Sequence, residues 1–184
     1  MQDGAPNVVV PGLLLAILLI STRAKLGQWG FGAVIIAIVL ALFLPHESVK
    51  ATLHTAGVAR HRPGDPTGPA GVGAVLYSES GEVLGEVGRS IGVSTNTVAD
   101  YAALIDGLEM ALDRGVREVS VFVDSAVVEG HLVGGYRVRP DHLRPPVEHV
   151  RQLLDQFSTW SLTKVPRKLN LESALLALRG VEQS

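Results

Sequence analysis

The sequence predicts a mixed α/β body preceded by an apolar helical hairpin. Three observations carry this. Charge is segregated along the chain, and two charge-free apolar runs fill its first quarter. The remainder reads as three strands, a helix, a strand, helices, a strand and a helix. Strand and helix patterns mixed in that way fold as layers around one core.

The segregation sets the domain boundary. Before Pro45 the only charged side chains are Asp3, Arg23 and Lys25, whereas from His46 onward 14 basic and 17 acidic side chains leave a net charge of −3. The chain therefore divides into a head, residues 1–45, and a body, residues 46–184. Over all 184 residues, 47% are apolar and 18% charged, with a net charge of −2. That excludes a disordered chain, which needs low hydrophobicity and high charge. It also argues against a strongly basic nucleic-acid binder. The absence of cysteine excludes a disulfide framework, a thiolate metal site and a thiol nucleophile.

In the head, Val8 to Ile20 is a run of 13 residues without charge, and Trp29 to Pro45 a run of 17. A spanning helix needs about 20 apolar residues, with a lower limit near 17. Trp29 and Phe31 suit an interfacial belt. The short segment between the runs carries Arg23 and Lys25. This reads as a membrane hairpin, or as one span with a partly inserted first segment. Two other readings stand beside it. A signal peptide carries positive charge ahead of its apolar run, whereas this N-terminus holds Asp3 and no basic side chain. Apolar runs of 10–14 residues also occur as core helices. Arg23 and Lys25 in the loop nearly balance Lys50, Arg60 and Arg62 beyond it, so the charge rule does not fix orientation. The expectation is a membrane protein with its body on the cytoplasmic side.

The body opens with a strand over residues 51–59, and Arg60 to Gly71 is a Gly/Pro-rich turn. Val72 to Tyr77 and Glu82 to Val87 form a hairpin around the turn residues Ser78 to Gly81. Residues 95–114 carry Val98, Ala102, Leu104, Ile105, Leu108 and Leu112 at helical spacing. Thr95 or Asn96 caps this helix and Gly115 ends it. Val119 to Val123 is a strand, 126–132 a short helix and 140–157 a longer one. Trp160 to Val165 is the last strand and 170–181 the last helix. His131, His142 and His149 have no metal-like spacing and read as surface or helix residues.

Several pieces carry a resemblance when they occur in this order. They are Gly68-Pro69-Ala70-Gly71-Val72-Gly73, Thr95-Asn96-Thr97-Val98-Ala99-Asp100-Tyr101, Val123-Asp124-Ser125, Leu143-Arg144-Pro145, and Val165-Pro166-Arg167 followed by Asn170. Over roughly residues 51–181 the body resembles the ribonuclease H type 1, reverse-transcriptase-like family. The resemblance implies a ribonuclease H-like mixed five-stranded sheet with flanking helices, with the fourth strand beside the first. It also implies cleavage of RNA in RNA/DNA hybrids by two divalent ions on four carboxylates. Hard Mg²⁺ or Mn²⁺ takes oxygen ligands, and two ions about 4 Å apart clamp the attacking and leaving oxygens.

Carried over residue by residue, the family's four acidic positions fall on Ala56, Asp100, Asp124 and Ala174. Ala56 stands in Thr55-Ala56-Gly57 where the family has Thr-Asp-Gly, and Ala174 where its last helix has Asp. Asp100 replaces a Glu, and Asp124 is retained. The implied site is degenerate. Asp100 and Asp124 remain as catalytic and metal residues, holding at most one weakly bound Mg²⁺ or Mn²⁺. Asp65 and Glu172 are the candidate substitutes. By the same resemblance Thr95, Asn96 and Thr97 lie where the family touches the sugar-phosphate backbone. Arg137, Arg139 and Arg167 are basic candidates for following phosphates, with Tyr136 interleaved. Three functions stay open: a membrane-tethered module that binds nucleic acid, RNA/DNA hybrid or another kind, with lost or weak nuclease activity on hybrids, an active nuclease with a reduced carboxylate set, and a membrane-anchored protein-interaction module. Oligomeric state is not readable.

Overall fold

The computed structural model describes residues 49–61 and 63–183. The predicted hairpin over Val8 to Ile20 and Trp29 to Pro45, together with Arg62, lies outside the described residues. No helix among the described residues is long and apolar enough to cross a membrane.

The body is one mixed sheet with helices on both faces. Its strands are β1 (Lys50–Ala59), β2 (Gly68–Ser78), β3 (Val83–Ser94), β4 (Glu118–Val123) and β5 (Thr159–Lys164). Its helices are α1 (Asn96–Asp113), α2 (Ala126–Leu132), α3 (Arg144–Leu154) and α4 (Leu171–Glu182). The strand order is β3-β2-β1-β4-β5. β1–β2 and β2–β3 are antiparallel, and β1–β4 and β4–β5 are parallel. The meander closes through short turns, and each parallel join needs a helical crossover. α1 supplies the first, and α2 with α3 supplies the second.

β1 is the central strand, and its sequence shows why. Leu53 is fully buried, and every residue from Thr55 to Ala59 is buried, so both strand faces are covered at this end. α1 and α4 both pack on β1. The α1 side holds the main core, in which Leu53, Leu76, Tyr101, Leu104, Leu108, Val121, Val150 and Leu154 are buried together. Burying each large aliphatic side chain there contributes about 1.5–3 kcal/mol.

Both helix contacts on the sheet depend on missing side chains. A Cβ on Gly57 would collide with the Asp100 backbone nitrogen, so α1 begins directly against β1. A Cβ on Gly73 would collide with the Ser173 carbonyl oxygen, so α4 begins equally close to β2. These two approaches bring the helix starts to the same end of the sheet.

Three elements differ from their predicted extents. β3 continues to Ser94 instead of ending at Val87. Its second half, Gly88 to Ser94, has no clean alternation, and pairing to β2 with a bulge at Ala70/Gly71 holds it in the sheet. β2 begins at Gly68, inside the predicted turn, because β3 pairs with it there. The predicted helix over 140–157 is a 3₁₀ turn, Asp141–Leu143, followed by α3. Pro145 and Pro146 stand in the first turn of α3, where a missing N–H breaks no helical bond. His131 is buried at 8% exposure and not a surface residue. Its Nδ1 lies 2.8 Å from the Tyr101 hydroxyl, and the two rings stack.

Candidate active site and nucleic-acid interface

The adjacent parallel strands β1 and β4 run in register through Thr55 and Val123, where β4 ends and β1 continues to Ala59. Carboxyl ends of parallel strands are where open α/β sheets place ligands. Four segments converge there: Thr55-Ala56-Gly57 from β1, the start of α1 with Asp100, Asp124-Ser125 after β4, and Asn170 at the start of α4. Sequence reasoning named Asp100 and Asp124 as one site, and the fold brings them together.

Asp100 is partly buried and well supplied with donors. Its Oδ1 accepts the Gly57 N–H at 3.0 Å, and the Ser125 hydroxyl donates to it as well. Burial nevertheless pushes its pKa up to about 7, and the neighbouring Asp124 charge adds to the rise. The Ser125 and Gly57 bonds and the Arg167 charge oppose it. Desolvation outweighs two hydrogen bonds because a carboxylate loses more hydration on burial than two donors return. Asp124 also titrates above the usual carboxylate range through burial, against the pull of Arg167 and a hydrogen bond from Asn170. Arg167 Nη1 lies 3.7 Å from Asp124 Oδ2, with the Arg167 side chain 54% exposed and that of Asp124 10% exposed.

Asn170 ties the site together. It is buried, donates from Nδ2 to the Thr55 carbonyl at 2.7 Å, and sets Oδ1 3.0 Å from His54 Nδ1. Sequence reasoning quoted Asn170 and Ser125 only as parts of motifs, and their hydroxyl and amide roles are tertiary.

Ala56 and Ala174 are both 2% exposed. Each presents a methyl group where the family resemblance places a carboxylate. Neither proposed substitute fills the gap. Asp65 closes its own turn, accepting the Thr67 N–H at 2.9 Å and the Thr67 hydroxyl at 2.7 Å. Glu172 accepts the Tyr77 hydroxyl. Among the described residues no group of three or more His, Cys, Asp or Glu side chains is placed to hold a metal ion. A two-ion centre needs oxygen donors on several sides of both ions. The residues present do not fit it: two donor positions are methyl groups, and Asp124 already faces a guanidinium.

The predicted nucleic-acid contacts divide in two. Thr95 caps α1, its hydroxyl accepting the Val98 N–H at 3.2 Å. Asn96 Oδ1 accepts the Ala59 N–H at 2.6 Å, fastening α1 to the end of β1. Thr97 follows in the first turn of α1, partly buried. Thr95 and Asn96 therefore hold the α1 start in place. Arg137 and Arg139 are exposed on the loop after α2. With Tyr136 they line a groove of 470 Å³ that reaches Ala126 and Val127, directly after the site. Tyr136 and Arg137 also line a second groove of 550 Å³ with Arg144 and Arg151. Arg167 is separate from them, beside Asp124.

Residues 64–180 match the family model described as "Reverse transcriptase-like". The chain is 35% identical over 146 residues to a ribonuclease HI of Halobacterium salinarum, covering 79% of this chain and 71% of that protein. It is 36% identical over 131 residues to the bifunctional protein Rv2228c of Mycobacterium tuberculosis, spanning 70% of this chain but only 35% of that protein. Among solved structures, the Halobacterium salinarum RNase H1 superposes with a TM-score of 0.68 at 36% identity, over 73% of this chain and 99% of that one. The LC11-RNase H1 structure in complex with an RNA/DNA hybrid superposes with a TM-score of 0.66 at 30% identity, over 72% of this chain and 97% of that one.

Proposed function

The chain belongs to the reverse-transcriptase-like ribonuclease H family, and from that premise we propose that its body binds RNA/DNA hybrids without the family's two-metal cleavage. The observation that carries this is the pair of buried methyl groups at Ala56 and Ala174 inside an otherwise retained fold. The family's metals require donors from four elements, and two of those elements here offer carbon. Losses within one catalytic constellation are non-additive, so Asp100 and Asp124 do not retain half the effect. Among the described residues no group of three or more acidic or histidine side chains stands in for the missing donors.

Binding asks less of the site than cleavage does. An A-like helix is held through phosphates and 2′-hydroxyls across its shallow minor groove. The Arg137–Arg139 loop supplies charge, and Tyr136 a face for stacking. The relative solved with an RNA/DNA hybrid supports this choice of ligand. On this reading the head, residues 1–45, tethers the body to the cytoplasmic face of a membrane, so that hybrids are held at the membrane surface.

The test is a titration of labelled RNA/DNA hybrid, DNA duplex and single-stranded RNA at several salt concentrations. Hybrid is expected to bind tightest, with log K falling linearly in log salt. Equal, negligible affinity for all three would refute the reading. Fractionation of cells expressing the full chain tests the tether, and recovery of the protein in the aqueous phase without detergent would refute it.

A further inference from the structure

We infer that the cation at the centre of this site is Arg167 in place of a divalent ion, and that Asp124 competes with a nucleic-acid phosphate for it. This rests on the hybrid-binding reading above.

The 3₁₀ turn Arg167–Leu169 lies between β5 and α4 and brings Arg167 to Asp124. The guanidinium is half exposed, while the carboxylate it faces is nearly covered. One partner is therefore fixed in the protein and the other reaches solvent. The 3.7 Å separation is beyond hydrogen-bond range, so the pair is an ion pair without a directed bond. A half-exposed pair of that kind is weak. A phosphate offers a guanidinium two oxygens in the bidentate geometry it prefers. Arg167 can thus leave Asp124 for a phosphate at small expense and gain a better partner.

The other groups around Asp124 leave little for an ion. Asn170 shares its amide N–H groups between Thr55 and Asp124, with its oxygen toward His54. Asp100 accepts from Gly57 and Ser125. Ala56 and Ala174 bring no oxygen. The local charges are then two carboxylates and one guanidinium, and the guanidinium is the group that attracts an anion.

This arrangement reverses a sign. Where Asp124 holds a metal, Asp124→Asn removes a ligand and weakens binding. Where Asp124 competes with phosphate for Arg167, the same change frees the guanidinium and removes a like charge from the phosphate's path.

The experiment is fluorescence anisotropy of a labelled RNA/DNA hybrid with the full-length chain, in Mg²⁺ and in EDTA at matched ionic strength. Affinity is expected to agree within about twofold between the two buffers, since counterion release and not a bridging ion sets it. Asp124→Asn should tighten binding about two- to fivefold, the range of releasing one weak, half-exposed ion pair. Arg167→Gln should weaken it about fivefold and lower the salt slope by about 1, with Arg167→Lys in between. The gain from Asp124→Asn should shrink in the Arg167→Gln background. A Mn²⁺ titration of the unmodified chain followed by electron paramagnetic resonance reads the site without any variant, and no saturable binding is expected. Loss of hybrid binding in EDTA, weakening by a folded Asp124→Asn chain, or saturable Mn²⁺ binding lost in Asp124→Asn would overturn the inference and leave hybrid binding standing. Absence of hybrid binding in every buffer would overturn both.

Discussion

Asp100→Asn should flatten the dependence of stability on pH between about 4 and 7. The unfolded carboxyl ionises near 3.8 and the folded one near 7. Between those values the folded state holds a proton that the unfolded state has released. Stability from this group is therefore fully present below pH 3.8, falls as pH rises, and is lost once pH passes 7. A shift of about 3 units at 1.36 kcal/mol per unit makes the whole loss about 4 kcal/mol, of which about 3 kcal/mol falls between pH 5 and 8. Asparagine keeps an acceptor for the Gly57 N–H and cannot ionise. Asp124 shifts in the same direction through burial, but it is present in both proteins and its contribution largely cancels in the comparison. Urea unfolding of both proteins at pH 5, 6, 7 and 8, followed by circular dichroism, measures the difference. The variant should gain about 3 kcal/mol on the wild type across that range. A difference constant to within about 0.5 kcal/mol, the size of an ordinary surface substitution effect, would refute the claim that Asp100 is desolvated.

Three further outcomes follow from the same geometry. Gly57→Ala should destabilise the body by about 2–4 kcal/mol in the same unfolding assay, because its methyl group must displace the start of α1; a neutral effect would show that α1 does not abut β1. Thr95→Ala should cost about 1 kcal/mol through loss of the α1 cap, read as a lowered urea midpoint at constant slope. Arg137→Gln with Arg139→Gln should lower the salt slope of hybrid binding by about 1–2 and weaken it for all sequences alike, and an unchanged slope would remove that loop from the interface.

Elements with a strong local signal were legible in the sequence. α1 shows its cap at Thr95, its period from Val98 to Leu112 and its stop at Gly115, and it folds within those bounds. α2 runs over the predicted residues. The second half of β3 was not legible, because Gly88, Gly92 and the polar residues among them carry no period of two; its partner strand decides its structure. His131 lies in a helix as expected, but its burial was not legible. A histidine looks polar in sequence, and only the fold shows that the Tyr101 hydroxyl satisfies it in the core.

That Asp100 and Asp124 lie together was legible, and the electrostatic arrangement around them was not. Motif order identified Asp100, Asp124, Ala56 and Ala174. It could not reveal that Arg167, 43 residues beyond Asp124, comes to face it. A half-exposed ion pair across that separation has no local spacing rule, unlike the i,i+4 pairs of a helix. The pairing of Asn96 with Ala59 is equally tertiary. It gives Asn96 a structural part, fastening α1 to the central strand.

The most direct test is cleavage of a uniformly labelled RNA/DNA hybrid by the unmodified full-length chain in Mg²⁺ and in Mn²⁺. Buried methyl groups at Ala56 and Ala174 should leave the RNA strand intact under conditions in which an active ribonuclease HI degrades it, while the hybrid stays bound. Robust divalent-dependent cleavage, abolished by Asp124→Asn, would contradict this and show that a working metal centre forms around Asp100 and Asp124 without carboxylates at those two positions.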